Sequence, residues 1–276
     1  MRWGPADPAS GDAEHPLTVV VCALREEMEA FVRRLDPPGG WRPATPGLDP
    51  RVRVRFGRLA GRRVVVAATG DGERNARLGV SELLNALPVA RLVIAGVSGG
   101  LSPRLAPGSI VVGERVVNDA RGANGASGEL VPSEVSPAWV AGAAGGEPGR
   151  VVTSRTLACT PEDKAALYAR FGDSGKDGAV AVVDLESAFY AAAAQEAGVP
   201  WTVVRTVSDT ASERLPEFLE DCRDAGGAVR RWAVLCHALR HPFAIGALLR
   251  IRHQVRRCAS GLAVAVERVL DAERTE

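Results

Sequence analysis

Four carboxylates lie just after apolar runs of strand length, and these side chains are the ones in the chain that could carry acid–base chemistry. The ends of strands in α/β sheets face the ligand crevice, so we expect these carboxylates to border one. Two carboxyl groups in different environments can divide the roles of general acid and general base. With the run that each one follows, they are Glu27 (17–23), Asp184 and Glu186 (180–183) and Asp209 (201–207).

The positions of the histidines argue against a histidine-based mechanism. The chain has four, His15, His237, His241 and His253. Nucleophilic triads and H-E-x-x-H metal sites both need imidazole within the catalytic body of the fold. Chemistry between residues 17 and 230 therefore has to use carboxylates, arginines, hydroxyls or backbone amides.

Each candidate segment also has an ordinary structural interpretation. The acidic residues around Glu27 fit the first turn of a helix, where the helix dipole favours them. Asp184 and Asp209 stand where helix N-caps are expected. The glycines in 69–75 fit a tight turn, because the segment lacks the full dinucleotide fingerprint and the P-loop Lys-Ser/Thr. The glycines in 96–101 either let the backbone approach a ligand or form a plain turn.

The elements that must position these residues follow an α/β rhythm, in which short apolar runs alternate with helical patterns. Thr160 is a predicted N-cap and Pro161 the first residue of its helix. The stretch 119–148, with six glycines, is predicted to be a surface excursion or lid. Strands are predicted at 17–23, 52–59, 63–69, 90–95, 109–117, 150–153, 180–183 and 201–207, and helices at 26–35, 73–87, 161–171 and 186–197.

Composition bounds the class of protein. A chain of 276 residues, 46% of them apolar, can bury one large core. Its net charge of +1 gives no field that would favour nucleic acid, so no nucleic-acid partner is expected. Five separated cysteines without a C-x-x-C pair indicate reduced thiols and a cytoplasmic location. Residues 1–16 contain no hydrophobic stretch, and we expect a disordered tail.

The C-terminal extension, 225–276, carries the one strong charge asymmetry, since 225–266 has no acidic residue. After Pro242 a helix would be amphipathic, with Ala244, Leu248, Ile251, Val255 and Leu262 on one face and Arg250, Arg252, His253, Arg256 and Arg257 on the other. Two interpretations stay open. The apolar stripe packs on the domain, or the helix contacts an anionic membrane or an amphiphilic substrate.

Taken together, the order and spacing of these segments resemble those of the nucleoside phosphorylase and nucleosidase superfamily, above all the methylthioadenosine/S-adenosylhomocysteine nucleosidases. The resemblance covers about residues 17–213. It implies a single α/β domain, with a central mixed twisted sheet flanked by helices and a helical C-terminal extension. The matching motifs are the strand-one acidic cluster at 23–28, G-x-x-G-G-L at 96–101, the V-E-M-E-like segment at 183–186 and V-V-R-x-x-S-D at 203–209.

The resemblance also implies roles for individual residues, with no metal or cofactor required. Glu27 would activate the attacking water, Glu186 would hold the ribose hydroxyls, and Asp209, oriented by Ser208, would protonate the purine at N7. A homo-oligomer is expected, with Phe189 or 119–148 as a contact. The other substrate-binding candidates are Val97, Ser98, Gly99, Leu157, Ala158, Asp184, Leu185, Phe189 and Arg205.

Departures from the nucleosidase pattern shift the expected substrate. Val97 stands where those enzymes have Ser, and Asp184-Leu185-Glu186 replaces Glu-Met-Glu. Three features resemble the hopanoid-associated phosphorylase-like branch: the apolar residue at 97, the segment Thr160-Pro-x-x-Lys164-x-x-Leu167 and the Arg- and Leu-rich run after His241-Pro242. That branch is linked with removing adenine from adenosylhopane to leave ribosylhopane. Such a lipid-tailed substrate would fit peripheral contact with the inner membrane surface. Phosphorolysis, with Arg25, Ser98 and Arg205 binding phosphate, stays an alternative, as does a catalytically silent binding module.

Overall fold

The structure, a computed structural model, describes residues 17–41, 48–119, 128–132, 136–172, 180–216, 218–221 and 243–275. The segment 1–16, for which a disordered tail is predicted, lies outside the described residues, and so does 225–242 of the C-terminal extension.

Ten strands and seven helices make up the described part of the chain. The strands are β1 Leu17–Cys22, β2 Asp36–Trp41, β3 Arg53–Leu59, β4 Arg62–Ala68, β5 Val89–Gly100, β6 Ile110–Asn118, β7 Glu129–Leu130, β8 Glu147–Thr153, β9 Ala181–Asp184 and β10 Trp201–Asp209. The helices are α1 Arg25–Val32, α2 Glu73–Ala86, α3 Pro137–Ala144, α4 Pro161–Phe171, α5 Ser187–Glu196, α6 Phe218–Asp221 and α7 Phe243–Thr275.

The strands form one mixed sheet, which confirms the predicted α/β class and central sheet. Strand β5 is the hub, because it pairs in parallel with β1 and with β10 and, through Gly99 and Gly100, antiparallel with β9. Pairings β10–β6, β6–β8 and β8–β9 complete a ring of five strands that returns to β5. The ring brings the ends of β5, β9 and β10 close together.

Helices cover both faces of the sheet because its central strands are apolar on both sides. Val19 and Val21 of β1 belong to one buried cluster, together with residues of α2 and α5. Val20 and Cys22 point the other way, into a second cluster with residues of α1, α3 and α7. Alternation along one strand therefore anchors two separate layers of helix.

The prediction of a surface excursion or lid at 119–148 is wrong in part. Within it, α3 buries Val140, Ala141 and Ala144 in the second cluster, so this segment belongs to the core. Its alanines and glycines give little helical periodicity, which is why the pattern was not visible in the sequence. Residues 120–127 and 133–135 lie outside the described residues.

Helix α7 confirms the predicted amphipathic helix, but the two halves of the helix differ in how far they are buried. Its C-terminal half is packed into the second cluster, where Leu262 is completely buried. Its N-terminal half is more exposed, and Leu249 keeps 59% of its surface accessible. None of the helices in the described ranges has both the length and the apolar content to cross a membrane.

We expect Leu262→Ala to lower the free energy of unfolding by about 2–5 kcal/mol, because the substitution leaves a cavity between α7 and the sheet. Leu249→Ala is the matched control on the same helix, with an expected change within about 0.5 kcal/mol. Urea denaturation followed by circular dichroism measures both. Equal midpoints for the two variants would contradict the packing of α7 against the core.

Candidate active site

A cavity of about 1040 Å³ opens where β5, β9 and β10 end. The start of α1 contributes Glu27, the end of β5 contributes Val97 to Gly99, and the end of β10 contributes Ser208 and Asp209. The end of β9 and the residues after it contribute 183–186, and 156–158 follow β8. The loop after β10, α6 and the N-terminal half of α7 form most of the remaining wall. The carboxylates predicted from the strand ends therefore do meet at one cavity.

Glu27 is held at the third position of α1, with the carboxyl group turned back toward the sheet. Its Oε1 accepts the N–H of Val97 at 2.7 Å, and its Oε2 accepts the N–H of Leu24 at 2.8 Å. Burial raises the pKa of Glu27, against the lowering effect of the Arg205 charge and of these N–H donors. A carboxylate whose pKa lies above its usual range is better suited to act as a general base near neutral pH.

A buried arginine links the carboxylates from behind the cavity. Arg205, 1% exposed, points from β10 toward β9 and pairs with the Asp184 Oδ2 at 2.5 Å. Its Nη2 and Nε donate to the Ser187 hydroxyl at 2.7 and 3.1 Å. Burial lowers the pKa of Arg205, but the neighbouring carboxylates, Asp184 first, outweigh burial and raise it.

The guanidinium fits only because Gly96 has no side chain. A Cβ at that position would come within 2.0 Å of the Arg205 Nη1 and 2.9 Å of the Glu27 Oε1. The strand β5 continues through this segment to Gly100, where the sequence suggested either a turn or a close approach to ligand. At Gly96, the missing side chain makes room for protein side chains rather than for a turn.

Glu186 reaches the cavity from the residue before α5. Its Oε1 accepts the N–H of Gly72 at 2.8 Å, and Gly72 has a φ of 87°, the left-handed conformation that glycine adopts readily. Burial, and then the charge of Asp184, raises the pKa of Glu186 to about 8. Hydroxyl donors bound to this carboxyl would favour its charged form.

Asp209 is contacted on both oxygens. The Ser208 hydroxyl donates to its Oδ1 at 2.6 Å, which agrees with the orienting role expected for Ser208. The Lys164 Nζ donates to its Oδ2 at 2.6 Å, and this ammonium is completely buried. Sequence reasoning gave Lys164 no role. The available signal was that Lys164 is one of two lysines in a chain otherwise supplied with arginine.

Asp184 supports the start of α5, in line with the capping interpretation, and it also pairs with Arg205, which the sequence did not suggest. Its Oδ1 accepts hydrogen bonds from the Thr153 hydroxyl at 2.8 Å and from the N–H of Ser187 at 3.2 Å. Asp184 therefore provides an acceptor for the first N–H group of α5. Its other oxygen pairs with Arg205. Thr153 and Ser187 were not among the predicted site residues, since hydroxyls that hold a carboxylate in place leave no spacing pattern.

Most of the predicted site residues line the cavity, and two do not. Arg205 lies behind the carboxylates, and we correct its role from substrate contact to support of the site. Phe189 is also corrected, because it is 2% exposed, packs in the core and receives the Arg77 guanidinium 4.8 Å from its ring centre. Those in the wall are Glu27, Val97, Ser98, Gly99, Leu157, Ala158, Asp184, Leu185, Glu186, Ser208 and Asp209.

The three side chains considered for binding phosphate are engaged elsewhere. Arg25 is exposed and pairs with Glu29 at 2.7 Å. The Ser98 hydroxyl donates to the Thr206 carbonyl at 3.3 Å. Arg205 is matched by Asp184 and lies near Glu27. An anion beside Glu27 would therefore meet a carboxylate rather than an unmatched cation.

The wall away from the carboxylates is largely apolar. Helix α7 also touches strand β10, since the Gln254 Nε2 donates to the Ser208 carbonyl at 3.2 Å. The N–H of Leu157, a predicted substrate-binding residue, donates to the Glu220 carboxylate at 2.9 Å. The apolar lining comes from Pro107, Leu215, Pro216, Leu219, Leu249, Ile251 and Val255.

Comparisons with known proteins agree on one family. The model of the phosphorylase superfamily matches residues 18–240. The 5'-methylthioadenosine/S-adenosylhomocysteine nucleosidase of Baumannia cicadellinicola is 33% identical over 97 residues, which are 35% of this chain and 40% of that protein. The nucleosidase of the same name from Marinomonas sp. is 26% identical over 181 residues, 60% of this chain and 76% of that protein.

Solved structures show the same fold. The methylthioadenosine/S-adenosylhomocysteine nucleosidase of Neisseria meningitidis, in complex with methylthio-immucillin-A, has a TM-score of 0.67 at 18% identity and covers 94% of this chain and 100% of its own. The futalosine hydrolase of Helicobacter pylori has a TM-score of 0.65 at 17% identity, with 93% and 98% covered.

We expect Glu186→Gln to flatten the pH dependence of stability. The pKa of Glu186 is about 8 in the folded chain against an ordinary 4.5, so the folded state binds this proton more tightly than the unfolded state does. Wild-type protein therefore loses stability as pH rises through that window, by up to about 1.4 kcal/mol per pH unit from this group. Gln cannot ionise, and the variant lacks that contribution.

Urea titrations at several pH values between about 4.5 and 8, the window between the two pKa values, measure the effect. Glu73→Gln, at an exposed position on α2, is the control and should run parallel to wild type. A Glu186→Gln curve that also runs parallel to wild type would mean that Glu186 is ionised throughout.

Proposed function

We propose that the chain, which belongs to the phosphorylase superfamily, is a nucleosidase. It hydrolyses the N-glycosidic bond of a purine ribonucleoside and releases adenine. The observation that carries the proposal is that Glu27, Glu186 and Asp209 line a single cavity. A glycosidic bond breaks through an oxocarbenium-like sugar and needs a protonated leaving group and an activated water, which two separate carboxyl groups can supply.

In the proposed reaction, Asp209 donates its proton to N7 of the purine while the bond between C1' and N9 breaks. Glu27 takes a proton from water, whose oxygen then bonds to C1'. Glu186 binds the 2' and 3' hydroxyls of the ribose. A deoxyribose would leave one of its acceptor positions unpaired, which favours ribonucleosides.

Hydrolysis is favoured over phosphorolysis by the charge around the reacting carbon. Glu27 would repel phosphate but can deprotonate water. The positive charge of Arg205 is already matched by Asp184 at 2.5 Å, and Glu27 itself lies beside it. Binding a phosphate dianion here would add charge to a group of carboxylates at low dielectric, which is costly.

The substrate we favour carries a long apolar 5' substituent, as adenosylhopane does, so that the products would be adenine and ribosylhopane. The apolar wall formed by the loop after β10, α6 and α7 supports this choice, as does a cavity of about 1040 Å³. Each methylene buried there would favour binding by about 0.8 kcal/mol. The relatives named for methylthioadenosine make a short 5' substituent the second candidate.

The test is adenine release from adenosine, methylthioadenosine, S-adenosylhomocysteine and a long-chain 5'-alkyl adenosine, each with and without phosphate. We expect the highest kcat/KM for the long-chain substrate, by about tenfold or more, and no dependence on phosphate. Preference for methylthioadenosine would shift the substrate, and strict phosphate dependence would make the chain a phosphorylase. No release would leave a nucleoside-binding module.

Glu27→Gln serves as the mechanistic variant in the same assay. It should lower kcat about 100-fold or more while binding of the nucleoside changes little, because the amide cannot accept the proton of water. Glu26→Gln, one residue away and outside the cavity wall, should keep wild-type turnover. Full activity of Glu27→Gln would remove Glu27 from the mechanism.

We further propose that the N-terminal half of α7 contacts an anionic membrane surface beside the cavity. Leu249 and the basic residues of this half are exposed, and 225–266 contains no acidic residue to offset them. A lipid-tailed nucleoside could then enter directly from the bilayer surface. The exposed basic residues are Arg250, Arg252, His253, Arg256 and Arg257.

The homo-oligomer stays a prediction, although Phe189, one of its expected contacts, is buried within the chain.

Co-sedimentation with phosphatidylglycerol vesicles should recover wild-type protein in the pellet at low salt. Arg252→Gln/Arg256→Gln should bind about 30-fold more weakly, since each charge near the surface contributes about 1 kcal/mol. Arg74→Gln/Arg104→Gln, the same change of charge elsewhere on the surface, is the control. Equal partition of all three proteins would rule out membrane contact through α7.

A further inference from the structure

We propose that Lys164 is a positioning residue for the reaction, which holds the Asp209 carboxyl toward the cavity and stabilises the carboxylate that remains once its proton has gone to the leaving base. This inference rests on the proposed nucleosidase function. Lys164 itself does not line the cavity, so it would act through Asp209 and not on the substrate.

The geometry around the ammonium is that of a fixed clamp. The Lys164 Nζ donates to the Asp209 Oδ2 at 2.6 Å, to the Thr210 carbonyl at 2.7 Å and to the Glu213 carbonyl at 2.8 Å. These contacts satisfy its three N–H donors. They tie the carboxyl group and the backbone of the following loop to a single point on α4.

The start of α4 fixes where that point lies. Thr160 and Asp163 form a reciprocal capping box, with the Asp163 N–H donating to the Thr160 hydroxyl at 3.1 Å and the Thr160 N–H donating to the Asp163 carboxylate at 3.0 Å. Lys164 follows directly on this turn. The Lys164 side chain therefore starts from a helix N-terminus whose backbone is fixed by two hydrogen bonds.

The choice of lysine is itself informative, because 32 of the 34 basic residues are arginine, the exceptions being Lys164 and Lys176. An ammonium is a compact point charge with donors in three directions, which suits three separate oxygens. A guanidinium is planar and presents its donors as a fork. Arginine could keep the charge at this position but not the three contacts together.

The charge fits the proton that the reaction moves. When Asp209 passes its proton to N7, a negative charge forms on its carboxyl group next to a fixed positive charge. That arrangement stabilises the products of proton transfer. Removing the ammonium should therefore slow the chemical step.

Other charged or titratable side chains also lie near Asp209. From the loop after β10 they are Glu213 and Arg214, and from α7 they are His253 and Cys258. The β5 side contributes Ser98 and Gly99, which carry no charge. Among the described residues in this group, Lys164 is the cation in hydrogen-bonding contact with the carboxyl of Asp209.

The experiment measures kcat and KM for wild type, Lys164→Met, Lys164→Arg and Arg170→Gln, with the best substrate of the panel above. For Lys164→Met we expect kcat to fall about 100-fold with KM little changed, because Lys164 does not line the cavity and acts through Asp209. Arg170→Gln, which removes an exposed cation of the same helix, should match wild type.

Lys164→Arg keeps the charge and decides the matter if Lys164→Met does not fold. We expect its kcat to fall by about tenfold with KM little changed, which is only part of the loss expected for Lys164→Met. Wild-type kcat in Lys164→Met or in Lys164→Arg would overturn the role of Lys164 while the nucleosidase function stands. Wild-type protein that releases no adenine would overturn both.

Discussion

The site depends on how a buried guanidinium is compensated. Arg205 has 1% of its surface exposed, and a charge at such depth is tolerated only if it is paired and hydrogen-bonded. Asp184 and Ser187 meet that need directly, and Glu27 and Glu186 lie close enough to feel the charge. Asp184 comes from the end of β9, Glu27 from the start of α1, and Glu186 and Ser187 from the start of α5. One cation therefore fixes the relative positions of several elements.

Burial, which Arg205 only partly offsets, makes the two glutamates differ from ordinary surface carboxylates. It raises the pKa of both. Gly96 is required because the guanidinium passes where a Cβ would be. Cation, glycine and carboxylates thus form one packing unit, in which removing the cation would leave like charges together at low dielectric.

Patterns within a few residues of the sequence predicted the strands and helix starts that depend on neighbouring residues. The apolar runs gave the central strands, and Thr160-Pro161 gave the start of α4, because both signals lie within a few residues of the element. Strand β2 contains Asp36, two prolines and two glycines, and α3 has four alanines and one glycine among its eight residues, so neither shows a usable period. The contact of Lys164 with Asp209 spans 45 positions and depends on how the ring of strands closes. No window along the chain contains that information.

Helix α7 connects the entrance of the cavity to its floor. Gln254 donates to the Ser208 carbonyl and the Cys258 thiol to the Val207 carbonyl, at 3.2 and 3.3 Å, so the helix that borders the opening also braces the strand that carries Asp209. Four residues, about one turn, separate these two contacts. The wall at the opening of the cavity and the strand that carries Asp209 therefore share one support, the middle of this helix.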